Sequence, residues 1–313
     1  FRLPGEVAER LNAAVLKTAL PARVPGVRIP PSPPTTEPPS GGSVAQGAAG
    51  RPFRSEATSG RAGRHQRSTA SSAIFGGMVT LEFLGTGTSQ GVPVVGCRCS
   101  VCQSGDQRDA RLRTSALVRA GTSALLIDAG PDLRQQLLRA GVDHLDAILL
   151  THEHMDHVSG IDDVRALNYR MRSPMPIHGA PATLRAVERI YAYAFAKDRY
   201  PGVPELQLVP IEQRRFQAGG VTLECIHVLH QRMPVLGFRL GGLAYITDAK
   251  TVDPEEVRRL QGVDLLVLNA LRIEEHPSHL NLREALDLVD RIGPRRAYFT
   301  HISHLLGAHA EVS

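Results

Sequence analysis

From residue 79 onward, short apolar runs repeatedly end in an acid, an amide or an imidazole. Residues 79–84 alternate loosely between apolar and polar and predict a strand that leaves through the turn Gly85-Thr86-Gly87-Thr88-Ser89-Gln90-Gly91. Residues 112–118 and Ser123–Ile127 predict a hairpin whose second arm delivers Asp128. The run Ala147-Ile148-Leu149-Leu150 is too short for a buried helix and reads as a buried strand, followed at once by Thr151-His152. Val221–His230 reads as a strand with a Pro234-containing turn after it, 243–247 as one ending on Asp248, 263–268 as one ending at Asn269, and Arg296–Thr300 as one delivering His301. Helices are predicted between them. One starts at Pro131 and closes at Gly141, one spans 181–196 with Leu184, Val187, Ile190 and Tyr191 on a core face, and one covers Leu282–Ile292 with Asn281 as its cap and Gly293-Pro294 as its stop. Strands interleaved with helices, with polar residues at the strand ends, predict an α/β protein carrying its site along one sheet edge. No internal repeat of 20–50 residues stands out.

Composition divides the chain. Residues 1–77 hold 10 Lys/Arg against 4 Asp/Glu and 10 of the 22 prolines, which leaves 26 basic against 27 acidic side chains in 78–313. The overall charge of +5 therefore belongs to the first segment, and a nucleic-acid reading built on it would rest on residues remote from the chemistry. Residues 1–77 have too little apolar surface to offset the entropy of ordering and are expected to be a disordered or spurious extension, with the domain proper at 78–313. A sharper expectation is that the extension is a gene read through in frame. Val27-Arg28-Ile29 can be written GTT-CGA-ATC and Leu16-Lys17-Thr18 TTG-AAA-ACC, which resemble the T-arm and a serine-type anticodon loop of a transfer-RNA gene, while Met78 directly precedes the ordered pattern. No convincing secretory signal or bilayer-length apolar run is present, which points to a cytoplasmic protein with no membrane partner.

The chemistry concentrates in Thr151-His152-Glu153-His154-Met155-Asp156-His157. Imidazole nitrogen and carboxylate oxygen suit zinc, manganese or iron. The spacing lets His152 and His154 reach one metal while Asp156 and His157 turn toward a second, and Asp128 either orients a ligand histidine from behind or caps a helix. A second cluster, Cys97-Arg98-Cys99-Ser100-Val101-Cys102, places three thiols as in a zinc site of a reducing compartment, with the fourth ligand from Cys225 or a distant histidine. The Gly-rich turn at 85–91 lacks the Walker lysine, so it reads first as a tight strand exit near the site, with phosphate contact through its amides as a further role.

These residues resemble the metallo-β-lactamase superfamily: Thr151-His152-x-His154-x-Asp156-His157 with downstream His230, Asp248 and His301. The resemblance implies an αβ/βα sandwich of two mixed β-sheets flanked by helices, with a dinuclear site at one edge. His152, His154 and His230 would then hold the first metal, Asp156, His157 and His301 the second, and Asp248 would bridge. His227 lies an odd number of residues from His230, so the two point to opposite faces of a strand, and His230, at the strand end, is the expected ligand. A narrower resemblance covers most of 78–313. The 85–93 segment, the cysteines and Thr300-His301-Ile302-Ser303-His304 look like phosphoribosyl 1,2-cyclic phosphate phosphodiesterases. It implies a structural Zn²⁺ on Cys97, Cys99, Cys102 and His304, two Zn²⁺ or Mn²⁺ ions in the site, and catalytic roles for His279 and Asp156. Only nine residues follow His304, fewer than this family leads one to expect, so a truncated C-terminus is expected as well.

The activity so implied is hydrolysis of a small cyclic phosphodiester by metal-bound hydroxide, with His279 protonating the ribose oxygen that leaves. A homodimer is left open. The rival readings are a transfer-RNA 3′-end nuclease, for which the net charge of 78–313 is unfavourable, a thioester or lactone hydrolase, and a non-catalytic metal-binding scaffold.

Overall fold

Runs such as Leu125-Leu126-Ile127 and Ile148-Leu149-Leu150 are apolar at every position, the signature of strands covered on both faces. The computed structural model describes Val27–Arg28 and residues 79–312, all within one compact unit. The expectations for residues 1–77 otherwise lie outside the described residues.

The first sheet runs in chain order: β1 (Val27–Arg28), β2 (Val79–Gly85), β3 (Ser115–Ala120), β4 (Ser123–Ile127), β5 (Ala147–Leu149), β6 (Met175–Gly179) and β7 (Leu206–Pro210). Its β2–β4 part is antiparallel and its β4–β7 part parallel. The parallel pairs are joined through helices, α1 (Leu133–Arg139), α2 (Met155–Val158), α3 (Arg165–Met171), α4 (Pro181–Ile190) and α5 (Ala192–Phe195). The second sheet is built from β8 (Arg215–Ala218), β9 (Val221–His230), β10 (Met233–Leu240), β11 (Leu243–Tyr245), β12 (Thr251–Val252), β13 (Leu265–Asn269) and β14 (Arg296–Thr300). Its order is β12-β9-β10-β11-β13-β14, with β8 on β9. Helices α6 (Pro254–Leu260) and α7 (Leu282–Ile292) belong to this half, and a short α8 (His309–Val312) follows β14.

Alternation along the strands sorts their side chains into layers. Leu125, Ile127, Ala147 and Leu149 meet Leu223, Leu236, Phe238, Tyr245 and Val267 between the sheets. Leu126, Ile148 and Leu150 face outward onto Leu133, Leu137 and Val187 of the helices. On the other side Leu266 and Leu268 pack on Val257, Leu260, Leu282, Ala285 and Leu286. This is the expected αβ/βα sandwich.

Several local expectations need correction. The helix over 181–196 is broken at Tyr191 (φ −105°, ψ 32°) into α4 and α5. Pro234 lies inside β10 and not in a turn; it pairs with Leu229 beyond the stretch where β11 takes up the other edge, so its missing N–H costs no ladder bond to β11. The turn itself is Gln231-Arg232, with Gln231 at φ 58°. Strand β3 begins at Ser115, because Arg111 and Arg113 make isolated bridges to Val92 and Gly87 instead. The sequence pattern also gives no sign of strands β1, β6, β7, β8, β10 and β12 or of helices α2, α3, α6 and α8. The predicted α7 is present with a full capping box between Asn281 and Glu284 and with Gly293 at φ 67° as its stop.

Candidate metal centre

The ends of β4, β5, β9, β11, β13 and β14 converge on one edge. Asp128 follows β4 with a left-handed backbone (φ 59°), which turns its carboxylate back under the histidine loop. It accepts the Thr151 N–H at 2.9 Å and the Thr151 hydroxyl at 2.9–3.0 Å, and its Oδ2 meets His157 Nδ1 at 2.7 Å. Asp128 thus orients a histidine from behind and is not a helix cap. Close packing beneath the loop requires Gly130, where a Cβ would lie 2.0 Å from the Asp156 carbonyl oxygen.

Asp248 and His301 also have positive φ, 56° and 53°. Such conformations are uncommon for residues other than glycine and need support from the surroundings. The Thr247 hydroxyl donates to Asp248 Oδ2 at 2.6 Å, while Asn269 accepts from the Ala249 N–H at 2.7 Å and donates to its carbonyl at 3.0 Å. His301 N–H donates to the Thr114 hydroxyl at 3.0 Å. Amides of the Gly-rich turn are largely spent on the protein: Gly87 N–H donates to Leu112 O, Thr88 to Ile302 O and Gly91 to Thr88 O. The turn is a strand exit that props the His301 loop, and these three donors do not face a ligand.

Around this edge the nitrogens and oxygens crowd without bonding well to one another. Three groupings have ligand atoms within 4.8 Å: His152, His157 and Asp248; Asp156, His157 and His301; and His230, Asp248 and His279. His157 Nε2 is 3.2 Å from Asp156 and 3.3 Å from Asp248, and His301 Nε2 is 3.4 and 3.2 Å from the same two carboxylates. His152 Nε2, His157 Nε2 and His301 Nδ1 are buried with no hydrogen-bond partner. Buried nitrogens left unsatisfied, such as His152 Nε2 and His157 Nε2 beside Asp248, are costly unless something else satisfies them, and divalent cations fit this donor set. His154 stands apart from the three groupings: it is exposed, with its ring 4.6 Å from that of His152 and 5.1 Å from that of His230. His227 is exposed and His230 buried, as the strand alternation demands.

Electrostatics follow from this crowding. Despite burial, which acts the other way, the surrounding imidazoles of His301 and His157 hold the Asp248 carboxyl well below the ordinary range. His157 is likewise held well above the imidazole range by Asp248 and Asp128, against the effect of its burial. Burial lowers His279 to about 4, and its bond to Asp248 only partly offsets this.

The second cluster is complete as well. His304 Nδ1 lies 3.4 Å from Cys97 Sγ and 3.2 Å from Cys99 Sγ, and Cys102 falls in the same group of four. Cys225 is elsewhere, buried in the inter-sheet core, so the histidine is the fourth member. The contact with His304 lowers the Cys99 thiol to about 6, whereas burial raises Cys102 to about 11.

Sequence reasoning passed over Thr114, Thr247, Asn269 as a clamp, and Ser278, whose carbonyl meets His230 Nδ1 at 2.7 Å. All but Ser278 sit beside a strand end, the position that would have flagged them.

A family model described as the beta-lactamase superfamily domain matches residues 124–302. The chain is 42% identical over 231 residues to an octanoyltransferase of Porphyromonas gingivalis, covering 73% of this chain and 46% of that protein. It is 35% identical over 180 residues to a ribonuclease Z of Bradyrhizobium diazoefficiens, covering 47% and 60%. The chain thus spans about half of the length of these curated relatives. A crystal structure of a diphosphatase from the PhnP family superposes with a TM-score of 0.69 at 35% identity, covering 74% of this chain and 89% of that one. With its two mixed sheets, its edge of histidines and carboxylates and this family match, the chain belongs to the metallo-β-lactamase superfamily.

Proposed function

We propose that this protein is a dinuclear-metal hydrolase that opens a small cyclic phosphodiester of the phosphoribosyl 1,2-cyclic phosphate kind. His152, His154, Asp156, His157, His230, Asp248 and His301 would hold two divalent ions, Zn²⁺ or Mn²⁺, and Cys97, Cys99, Cys102 and His304 a structural Zn²⁺. When bound, the pair of ions supplies Lewis acidity toward phosphoryl oxygens and an acidified water. Asp156, between His157 and His301, and Asp248, between His157 and His279, fix where that charge is concentrated.

The observation that carries the reading is His279. It is a buried histidine outside the seven-ligand set, with Nε2 3.0 Å from Asp248 Oδ1 and its ring 4.9 Å from that of His301. There it can hand a proton to a ribose oxygen leaving phosphorus, a role worth about 10²–10⁴-fold. Burial keeps the free imidazole largely neutral, and an anionic diester against Nε2 favours its protonated form, so the proton is gained as substrate binds.

The name of the octanoyltransferase relative favours a second reading, hydrolysis of a thioester at the same site, since octanoyl transfer is acyl chemistry. The ribonuclease Z relative points to nucleic acid, against which stand the 26 basic and 27 acidic side chains of 78–313. Among the described residues no helix is long and apolar enough to cross a membrane.

The test is a metal-supplemented assay on a ribose cyclic phosphate, bis(p-nitrophenyl) phosphate, an octanoyl thioester and a transfer-RNA precursor. Preference for the cyclic phosphate is expected, with His279→Ala losing about 10²–10⁴ in kcat while keeping its metals. Turnover of the thioester or the precursor RNA without the cyclic phosphate would replace this reading with one of its rivals.

A further inference from the structure

Two amides of the Gly-rich turn are still without a role. Gly87, Thr88 and Gly91 donate to the protein, and the Val92 N–H donates to Arg111 O at 2.9 Å. Ser89 and Gln90 form the exposed tip, and their N–H groups and the Ser89 hydroxyl meet no acceptor among the described residues. The tip is nevertheless held firmly. The Gly91 N–H closes a turn onto Thr88 O at 2.8 Å, and Arg113 Nε donates to Ser89 O at 3.2 Å.

Arg113 is itself fixed at three further points. Its N–H donates to Asp132 Oδ2 at 2.8 Å, its Nη1 to Asp132 Oδ1 at 3.0 Å, and its carbonyl accepts from Gln136 Nε2 at 2.8 Å. Gly85 is required beside it, since a Cβ there would lie 2.0 Å from Arg113 O. The same arginine connects the tip to the metal edge. A Cβ on Gly91 would lie 3.7 Å from Arg113 Nε, and one on Gly130 would lie 3.8 Å from Arg113 Cβ and 2.0 Å from the Asp156 carbonyl oxygen. The side chain thus runs from beside the Asp156 backbone out to the tip.

The Arg113 side chain is 32% exposed, and its Nη2 takes no partner among the described residues. Two successive amides, a hydroxyl and the open side of a guanidinium are therefore gathered at one place with no acceptor. Successive N–H groups of a turn make an anion-binding concavity, and a guanidinium matches phosphate oxygens. Asp132 offsets the charge of Arg113, so recognition here depends on directed donors and suits an anion that accepts several bonds at once.

We propose that the Ser89–Gln90 tip, positioned by Arg113, docks a phosphate monoester carried by the substrate. The proposal rests on the cyclic-phosphodiester reading above: a phosphoribosyl 1,2-cyclic phosphate carries two phosphates, and the metal edge takes the cyclic one. The tip takes the other and sets which ribose cyclic phosphates are preferred.

The experiment uses the full, metal-loaded chain and a ribose 1,2-cyclic phosphate with and without a phosphate monoester on its primary hydroxyl. Neither Ser89 nor Gln90 has a positive φ, and Ser89 is the second residue of the Thr88–Gly91 turn, where proline fits. Ser89→Pro therefore removes one amide and the hydroxyl while keeping the turn. The parent should prefer the phosphorylated compound, and Ser89→Pro should lower that preference, as the ratio of kcat/KM values, about 10-fold through KM. Arg113→Gln should lower the same ratio. A merely structural tip would reduce both compounds by one factor and leave the ratio unchanged, which would overturn the proposal, as would a parent without preference. Nitrogen-15 spectra supply a readout independent of turnover. Ribose 5-phosphate should shift the Ser89 and Gln90 amides and ribose should not; shifts confined to the metal edge would contradict the assignment. If neither cyclic phosphate is turned over, the functional reading fails, and the amide shifts still decide whether the tip holds phosphate.

Discussion

Two histidine-containing clusters share the turn Thr300-His301-Ile302-Ser303-His304, yet they are built on opposite principles. The edge cluster draws on strands of both sheets, and His152, His157, Asp248 and His301 are buried. The cysteine cluster is half-buried and comes from one loop plus His304. At the edge, four ligand candidates lean on neighbours: His157 on Asp128, His152 on Thr151, Asp248 on Thr247, and the His301 backbone on Thr114. The cysteines lean on one another and on local amides, Val94 N–H to Cys102 Sγ and Cys102 N–H to Cys99 Sγ. The first arrangement fixes directions, as chemistry demands. The second fastens a loop to the turn that carries His301, and so ties the strand exit at Gly85–Gly91 to the edge.

That contrast can be broken experimentally. Among residues that support the edge from behind, the largest effect should come from Asp128→Asn, which leaves the fold's apolar layers intact but cannot hold His157 and Thr151 together as a carboxylate does. Activity should fall about 10–100-fold, measured as kcat/KM with metal content alongside. An unchanged rate would mean that the edge tolerates misdirected ligands. Cys99→Ser should act differently, lowering the melting temperature and metal content by one site while the edge keeps its ions and much of its rate. Equal loss at both sites would mean that the two clusters are not independent. The smallest effect is chemical. At pH 7, above a pKa of about 6, Cys99 of metal-stripped protein is mostly thiolate, whereas Cys102, far below its value of about 11, is mostly thiol. Iodoacetamide followed by mass spectrometry should label Cys99 first, and loading with zinc should protect it. Faster labelling of Cys102 would contradict the electrostatics described.

Much of this was legible in the sequence because it is local. Runs buried on both faces marked β4, β5 and β13, and the alternation in β9 placed His230 inward and His227 outward. The Cys97–Cys102 spacing likewise revealed a cluster, though its fourth member stands 205 residues from Cys99. What resisted was set by tertiary contact. Pro234 reads as a turn residue but is accommodated at a sheet position that β11 does not reach. Tyr191 sits mid-pattern in an apolar stripe, yet its hydroxyl reaches the Val158 carbonyl at 2.8 Å where the helix breaks. The positive φ of Asp128, Asp248 and His301 is not fixed by residue type, since Asp and His are enriched there but adopt it at only a minority of positions.

The most direct test of the account is metal stoichiometry on the full chain, by elemental analysis of the parent protein, Cys99→Ser and Asp248→Ala. The account predicts about three ions per chain for the parent, about two after Cys99→Ser, and an edge that fails to retain its pair after Asp248→Ala while the cysteine-bound zinc remains. A parent protein with a single ion, or an Asp248→Ala protein that keeps all of them, would contradict it.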